Sequence, residues 1–161
     1  MLAHITRRAM KTFVLAAAFS GVHAVPAQAT GEQVFMTRCS ICHQTSGAGV
    51  PGQFPPINGR AGVIAGSAEG RSYLIKLMLF GMFGPIEVDN VDYRGVMPSV
   101  GSLNDQSIAA MLNFIVGLEN PVNPAAAFTA AEVGAARAEG KMSGSDVGEL
   151  RAQLVARGLI P

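Results

Sequence analysis

Three residues near the start of the chain carry side chains that together can hold a metal cofactor. Cys39, Cys42 and His43 follow the order C-x-x-C-H, which is the attachment signal for a c-type haem. On a helix, cysteines three positions apart lie about one turn apart, which suits the two vinyl groups of one porphyrin. The neighbouring imidazole then reaches the iron. Because the pattern occurs once, the sequence predicts one covalently bound haem c with His43 as an iron ligand.

Three other uses of these cysteines are possible, and the sequence contains a feature that argues against each of them. A zinc site needs further ligands, but His4 and His23 lie in the first 29 residues, and the remaining chain has no other cysteine or histidine. A thioredoxin-like pair belongs in a strand–helix–strand unit, and residues 30–60 lack a strand pattern. A disulfide across only two intervening residues would close a tight, strained loop.

The first 29 residues have the organisation of an export signal. A basic start, Met1–Lys11, precedes the apolar run Phe13–Val22, and Ala27-Gln28-Ala29 provides the small residues after which a signal peptidase cuts. The apolar run has about half of the roughly 20 residues that a transmembrane helix needs. We therefore expect a cleaved signal peptide over 1–29, a periplasmic protein, and no transmembrane span in the mature chain.

Charge and length limit the classes of function. The chain has 12 lysines and arginines against 11 acidic residues, and three of the basic residues lie in residues 1–29, which contain no acidic residue. Residues 30–161 therefore hold nine basic and eleven acidic residues, a net charge of −2. This balance excludes a strongly basic surface for a phosphate backbone, so no nucleic-acid partner is expected. The length of this segment, residues 30–161, is typical of one domain with an extension.

Motifs on both sides of the C-x-x-C-H segment identify a family. Gly31 and Phe35 precede the segment, the run GAGVPGQFPPING follows it at residues 47–59, and Gly95-Val96-Met97-Pro98 lies further along. Together these segments resemble the class I c-type cytochromes, specifically the small bacterial type related to subunits of cbb3 oxidases. The resemblance covers about residues 30–118. It implies an all-α cytochrome c fold with about 4–5 helices around one covalently attached haem.

Met97 is the methionine that we expect to bind the iron opposite His43. Met78 and Met111 lie on apolar helical stripes and are expected in the core. Met97 precedes Pro98 in a segment that is expected to be a non-helical loop able to reach the far haem face, and the family has its methionine ligand there. Met82 is the alternative ligand. A third possibility is a surface methionine that leaves the iron five-coordinate.

Further residues are assigned to the haem pocket. A ligand imidazole normally donates its other N–H to an acceptor, and the resemblance implies that this acceptor is the carbonyl of Pro55. Ile57 is expected to pack on the haem plane. The candidates for binding the haem propionates are Tyr73, Arg60 and Arg94. Tyr73 could equally be a core tyrosine, and the two arginines could be surface cations.

Helices and one hairpin must position these side chains. A composition change after residues 121–124 separates a haem domain, residues 30–122, from a helical C-terminal extension, residues 123–161. The extension has few large apolar residues, so we expect it to pack on the haem domain rather than along a partner. The predicted helices and hairpin are Gly31–Gln44, Arg71–Phe80, Asn104–Leu118, Thr129–Glu139 and Ser145–Arg157, with the hairpin over Ile86–Tyr93.

The resulting functional expectation is a periplasmic monohaem cytochrome that carries single electrons and is not itself an enzyme. Resemblance of the segment from Gly84 to Met97 to haem modules of bacterial dehydrogenases suggests a periplasmic dehydrogenase as donor. The acceptor would be another cytochrome or a terminal oxidase of the respiratory chain. Two alternatives are a haem enzyme or gas sensor with an open iron site, and a cytochrome subunit that its C-terminal tail holds in a dehydrogenase complex.

Overall fold

The computed structural model describes residues 29–118 and 126–161. The predicted signal peptide and the boundary at residues 122–123 therefore lie almost wholly outside the described residues. In the described part of the chain, no helix is long and apolar enough to span a bilayer. The elements are α1 (Gly31–Arg38), α2 (Ser40–His43), α3 (Arg60–Ile64), α4 (Ala68–Phe80), β1 (Met82–Val88), β2 (Val91–Met97), α5 (Asp105–Val116), α6 (Ala130–Ala138) and α7 (Gly144–Ala156).

The predicted first helix is interrupted inside the cysteine motif. Helix α1 begins at the capping box of Thr30 with Gln33, in which each side chain bonds the other residue's backbone N–H. It ends at Cys39, whose backbone has φ −117°. Helix α2 continues to His43, and Gln44, with φ 62°, terminates it. The motif therefore forms a short separate turn rather than the end of one long helix.

Helices α4 and α5 supply most of the core. Helix α4 begins three residues earlier than predicted because the Ser67 side chain caps it by accepting from the Gly70 N–H at 3.0 Å. Asn104 caps α5 by accepting from the Ser107 N–H at 2.8 Å. Helices α1 and α5 also pack at Phe35, whose ring centroid is 5.2 Å from that of Phe114.

The hairpin is longer than predicted and corrects the all-α expectation. Strands β1 and β2 form a two-stranded antiparallel sheet around the predicted turn, in which Asp89 and Asn90 have φ 54° and 62°. Positive φ at both central residues is the geometry of a two-residue type I′ turn. The register pairs Met82 with Met97. Met97 is thus the last residue of a strand, not part of the loop that the sequence suggested.

The C-terminal extension packs against the rest of the chain, as expected. Phe128, Val133, Val147 and Leu154 are 0–3% exposed and belong to the same apolar cluster as residues of α1, α4 and α5. Helix α6 contacts α4 and α5, whereas α7 contacts α4 and β1. The extension therefore contacts the hairpin as well as the helices.

Polar contacts fix the start and the surface of the extension. The Asn113 side chain on α5 donates to the Phe128 carbonyl at 3.0 Å and accepts from the Phe128 N–H at 2.7 Å. The Arg71 guanidinium lies 4.0 Å from the Phe128 ring centroid, which is a cation–π contact. Ion pairs add less than about 1 kcal/mol each at such exposure. They are Arg71–Glu132 at 2.9 Å, Lys76–Glu139 at 2.8 Å and Arg137–Asp105 at 2.9 Å.

Candidate functional site

His43 is held in one orientation by the loop that follows it. Its Nδ1 lies 2.9 Å from the Pro55 carbonyl oxygen, the acceptor that the resemblance implied. Because a carbonyl only accepts, Nδ1 carries the proton and Nε2 keeps its lone pair for a metal. The side chain is buried, and burial lowers the pKa of His43, while the bond to Pro55 opposes this shift. The imidazole is therefore a neutral, oriented ligand.

Gly49 brings the Pro55 carbonyl to this position. Its N–H donates to the His43 carbonyl at 3.0 Å. Its φ is +68°, and a Cβ there would lie 2.6 Å from the Pro55 carbonyl oxygen. Only glycine combines this conformation with this close approach. The backbone from His43 to Pro55 thus forms a closed loop around the imidazole.

The two cysteines do not have the properties of a redox pair or a zinc site. They are not joined in a disulfide. Burial, and secondarily the neighbouring Cys42, raises the pKa of Cys39 to about 11, so its thiol is protonated at neutral pH, unlike a reactive thiolate. The described residues contain no group of three or more His, Cys, Asp or Glu that could hold a metal ion. Cys39 instead contacts the Met111 sulfur at 3.7 Å.

A deep apolar cleft opens beside these residues. Its inner cavity has a volume of about 100 Å³, and the outer cavity that adjoins it has about 420 Å³. Pockets of about 300–1,000 Å³ with apolar walls bind drug-sized ligands and cofactors. We call the side formed by Cys39, Cys42, His43 and Pro55 the histidine wall. Residues shared by both cavities are Cys39, His43, Pro55, Met78, Met82, Ile86 and Met97.

Met82 and Met97 lie on the hairpin and form what we call the methionine wall. Both line both cavities, so the structure brings the two candidate ligands to the same cleft as His43. The Met82 sulfur accepts from the Tyr73 hydroxyl at 3.7 Å. After Met97, the Ser99 hydroxyl donates to the Leu79 carbonyl at 2.6 Å. That bond ties the segment after Met97 to α4.

The remaining predicted residues also line the cleft, but with different partners. Ile57, Arg60 and Tyr73 line the inner cavity, and Arg94 lines the outer one. Arg60 is bonded to Asp89 at 2.7 Å. Tyr73 is 3% exposed, and burial raises the pKa of its hydroxyl to about 12, against the opposing effect of Arg151.

Arg151 lines the inner cavity and was not among the predicted site residues. It is 8% exposed although it lies on α7 in the extension. Val147, Arg151 and Leu154 follow the i, i+4, i+7 spacing of a buried helix face. A cation inside such an apolar stripe is rare, and it was the signal that could have identified this residue.

The geometry defines the class of site. The cleft is lined by two thiols, a neutral imidazole with a free lone pair, and the thioethers of the hairpin. This donor set fits a haem attached through two cysteines and ligated by histidine, and it fits neither zinc nor dithiol redox chemistry. The cytochrome c family model matches residues 28–119. The chain belongs to this family and carries one covalently bound haem c.

Similar proteins agree with this class. The chain is 43% identical over 116 residues to a cytochrome c-552 of Thermus thermophilus, which covers 70% of this chain and 78% of that protein. A second Thermus thermophilus cytochrome c-552 is 43% identical over 115 residues, with 70% and 87% covered. The cytochrome c subunit of a quinone alcohol dehydrogenase from Gluconobacter oxydans is 31% identical over 86 residues, 53% of this chain and 17% of that protein. The chain is accordingly an electron-transfer protein rather than an enzyme.

Proposed function

We propose that this cytochrome c is an exported, periplasmic carrier of single electrons. It accepts them from a dehydrogenase and passes them to another cytochrome or a terminal oxidase of the respiratory chain. The observation that carries the proposal is that an oriented imidazole and the thioethers of the hairpin line the same cleft. A haem held by an imidazole and a thioether would offer no position for oxygen or peroxide and would supply one-electron redox chemistry.

The histidine wall attaches and orients the cofactor in this proposal. The Cys39 and Cys42 sulfurs would hold the haem through thioether bonds, and His43 Nε2 would bind its iron. The Pro55 carbonyl, by accepting from Nδ1, makes the imidazole a better electron donor to the iron. Ile57 provides an apolar contact for the macrocycle.

On the methionine wall, Met97 would be the residue that binds the iron. The Met82 sulfur already accepts a hydrogen bond from Tyr73, which supports Met97 over Met82. A thioether ligand favours ferrous iron and raises the reduction potential. Arg60 and Arg94 remain candidates for the haem propionates, with Arg60 partly engaged by Asp89.

An exposed apolar rim supports a role in brief encounters with a redox partner. Ile41, Val96 and Phe54 line the outer cavity and are 88%, 69% and 37% exposed. The charged residues on this cavity are Arg38 and Arg94. Exposed apolar surface marks partner sites, and electron-transfer contacts are small. We assign this rim to a redox protein with an apolar, weakly charged docking face.

The donor class rests on similarity. One relative is named as the cytochrome c subunit of a quinone alcohol dehydrogenase, which supports a dehydrogenase as the electron source. The packing of α6 and α7 on the core supports a free carrier over a subunit that its tail anchors in a complex, since their apolar faces are already buried.

The experiment that tests this function is an optical spectrum of the purified holoprotein, oxidised and reduced, with and without carbon monoxide. We expect a far-red sulfur-to-iron charge-transfer band and no change on adding carbon monoxide. The band should disappear in Met97→Ala and persist in Met82→Ala. Met36→Ala, an exposed position on α1, is the control. Ready carbon monoxide binding by the unmodified protein would instead favour the sensor or enzyme alternative.

A further inference from the structure

Arg151 is a buried cation whose hydrogen-bond partners include carbonyl oxygens rather than a side-chain carboxylate. It is 8% exposed, and its Nη2 donates to the Glu87 carbonyl at 3.2 Å and to an oxygen of Pro161 at 3.5 Å. The second contact is longer than an ordinary N–H···O bond. None of the four ion pairs among the described residues includes Arg151. A buried charge is costly unless it is paired, so an anionic group in the cleft would be a favourable further partner for Arg151.

The surroundings of Arg151 place that anion in the haem cleft. Arg151 lines the inner cavity together with His43 and Tyr73, and its guanidinium interacts with the Tyr73 hydroxyl. A planar guanidinium and a phenol that converge on one cavity are suited to a carboxylate. The carboxylates that a haem brings into such a cleft are its two propionates.

Comparison with the other arginines on the cleft favours Arg151. Arg60 is bonded to the Asp89 carboxylate at 2.7 Å, and Arg94 is exposed on the outer cavity. Arg151 alone among these three is buried and has no side-chain carboxylate partner among the described residues.

We infer that Arg151 binds a haem propionate and thereby makes helix α7 of the C-terminal extension part of the haem pocket. The inference rests on the covalently bound haem of the family, and it is independent of the proposed donor and of the Met97 ligand. Val147 and Leu154 hold α7 in the core on either side of Arg151. The propionate then joins the cofactor to the extension by charge, and the guanidinium favours ferrous over ferric haem because it offsets the propionate's negative charge.

The test uses the holoprotein with Arg151→Gln, and Arg151→Lys as the conservative variant. The control is Arg137→Gln, which removes an extension arginine that is bonded to Asp105 at the surface. Two quantities are measured: the midpoint potential, and the propionate carboxylate bands in the infrared difference spectrum between oxidised and reduced protein. A purely structural role of Arg151 would not move the carboxylate bands.

We expect Arg151→Gln to lower the potential, with about a tenfold loss in the ferrous-to-ferric equilibrium constant, the size of one charge-assisted hydrogen bond. The carboxylate bands should shift, Arg151→Lys should restore part of both effects, and Arg137→Gln should change neither. Unchanged carboxylate bands in Arg151→Gln would overturn the inference. If that variant does not fold, guanidinium bands in the unsubstituted protein grown with isotope-labelled arginine decide the question. Bands that respond to oxidation and disappear in Arg151→Lys support the inference, and their absence overturns it.

Discussion

The two walls of the cleft are built in different ways. The histidine wall consists of residues from one short segment, and its bonds run between Cys39, His43, Gly49 and Pro55. The methionine wall consists of a hairpin, whose position depends on α4 and on α7 from the other end of the chain. Local sequence therefore determines the attachment and orientation of the haem, whereas long-range packing determines what lies on its far side.

The largest effect should come from removing the histidine ligand. His43→Ala deletes the axial donor of the wall on which attachment depends, so we expect no low-spin holoprotein. Met97→Ala should retain an attached haem because the cysteines and His43 are untouched. Haem content and the optical spectrum of both variants measure the difference. Equal haem content and equal low-spin spectra would remove the distinction between the walls.

Shortening a buried side chain of the extension should weaken the methionine wall. Leu154 on α7 is 2% exposed, and Leu→Ala at such sites costs about 2–5 kcal/mol. We expect Leu154→Ala to lower the free energy of unfolding by this amount. On heating, the far-red methionine band should disappear before the histidine-dependent spectrum changes.

The neighbouring position provides the control for this prediction. Val155 is 39% exposed on the same helix, so Val155→Ala should leave the melting curve nearly unchanged. If both spectral features of Leu154→Ala disappear together, the two walls unfold as a single unit.

A smaller change should shift the reduction potential in opposite directions for the two walls. Gly49→Ala places a methyl group against the Pro55 carbonyl at a φ of +68°, which costs about 1–3 kcal/mol. The weakened bond to His43 makes the imidazole a poorer donor, so the potential should rise, whereas Met97→Ala should lower it. Gly52→Ala has a similar φ of +74° and open space around it, and it should destabilise without changing the potential. Potentiometry of the three variants checks both signs.

The smallest expected effect is a pH dependence that leaves both walls intact. Burial raises the pKa of Glu132, but hydrogen bonds from Arg71 and Thr129 outweigh it and hold the pKa below the ordinary value of 4.5. The bonds therefore stabilise the fold above about pH 4.5, and this contribution is lost as the pH falls further. We expect less than about 1 kcal/mol, measured by denaturant titration at several pH values. Glu132→Gln should reduce this pH dependence of stability. If the haem spectrum changes over the same pH range, the effect is not confined to the contacts of Glu132 on α6.

The same contrast explains what the sequence could predict. The haem attachment signal and the hairpin turn at Asp89-Asn90 depend on short segments with specific backbone requirements. The Pro55 carbonyl as acceptor for His43 was implied by the family resemblance. The break at Cys39 was missed because nothing in the residue pattern marks it. The full strands were missed because Gly84, Pro85 and Gly95 have low strand propensity, and packing overrides it.

The role of Arg151 was missed for a different reason. Its position in the cleft follows from the docking of α7 on β1, and no spacing within the extension encodes that contact. The spacing of Val147, Arg151 and Leu154 indicates that this helix face is buried, but it does not indicate which cavity the face covers.

The register of the hairpin constrains how the length of this chain can change during evolution. Side chains on a strand alternate between faces, so one residue inserted between Asn90 and Met97 would turn the thioether to the opposite face of the sheet. Insertions of two residues would preserve the face and lengthen the hairpin. Descendants of this sequence should therefore tolerate single-residue insertions in the surface turns of the extension, and accept changes in strand β2 only in pairs.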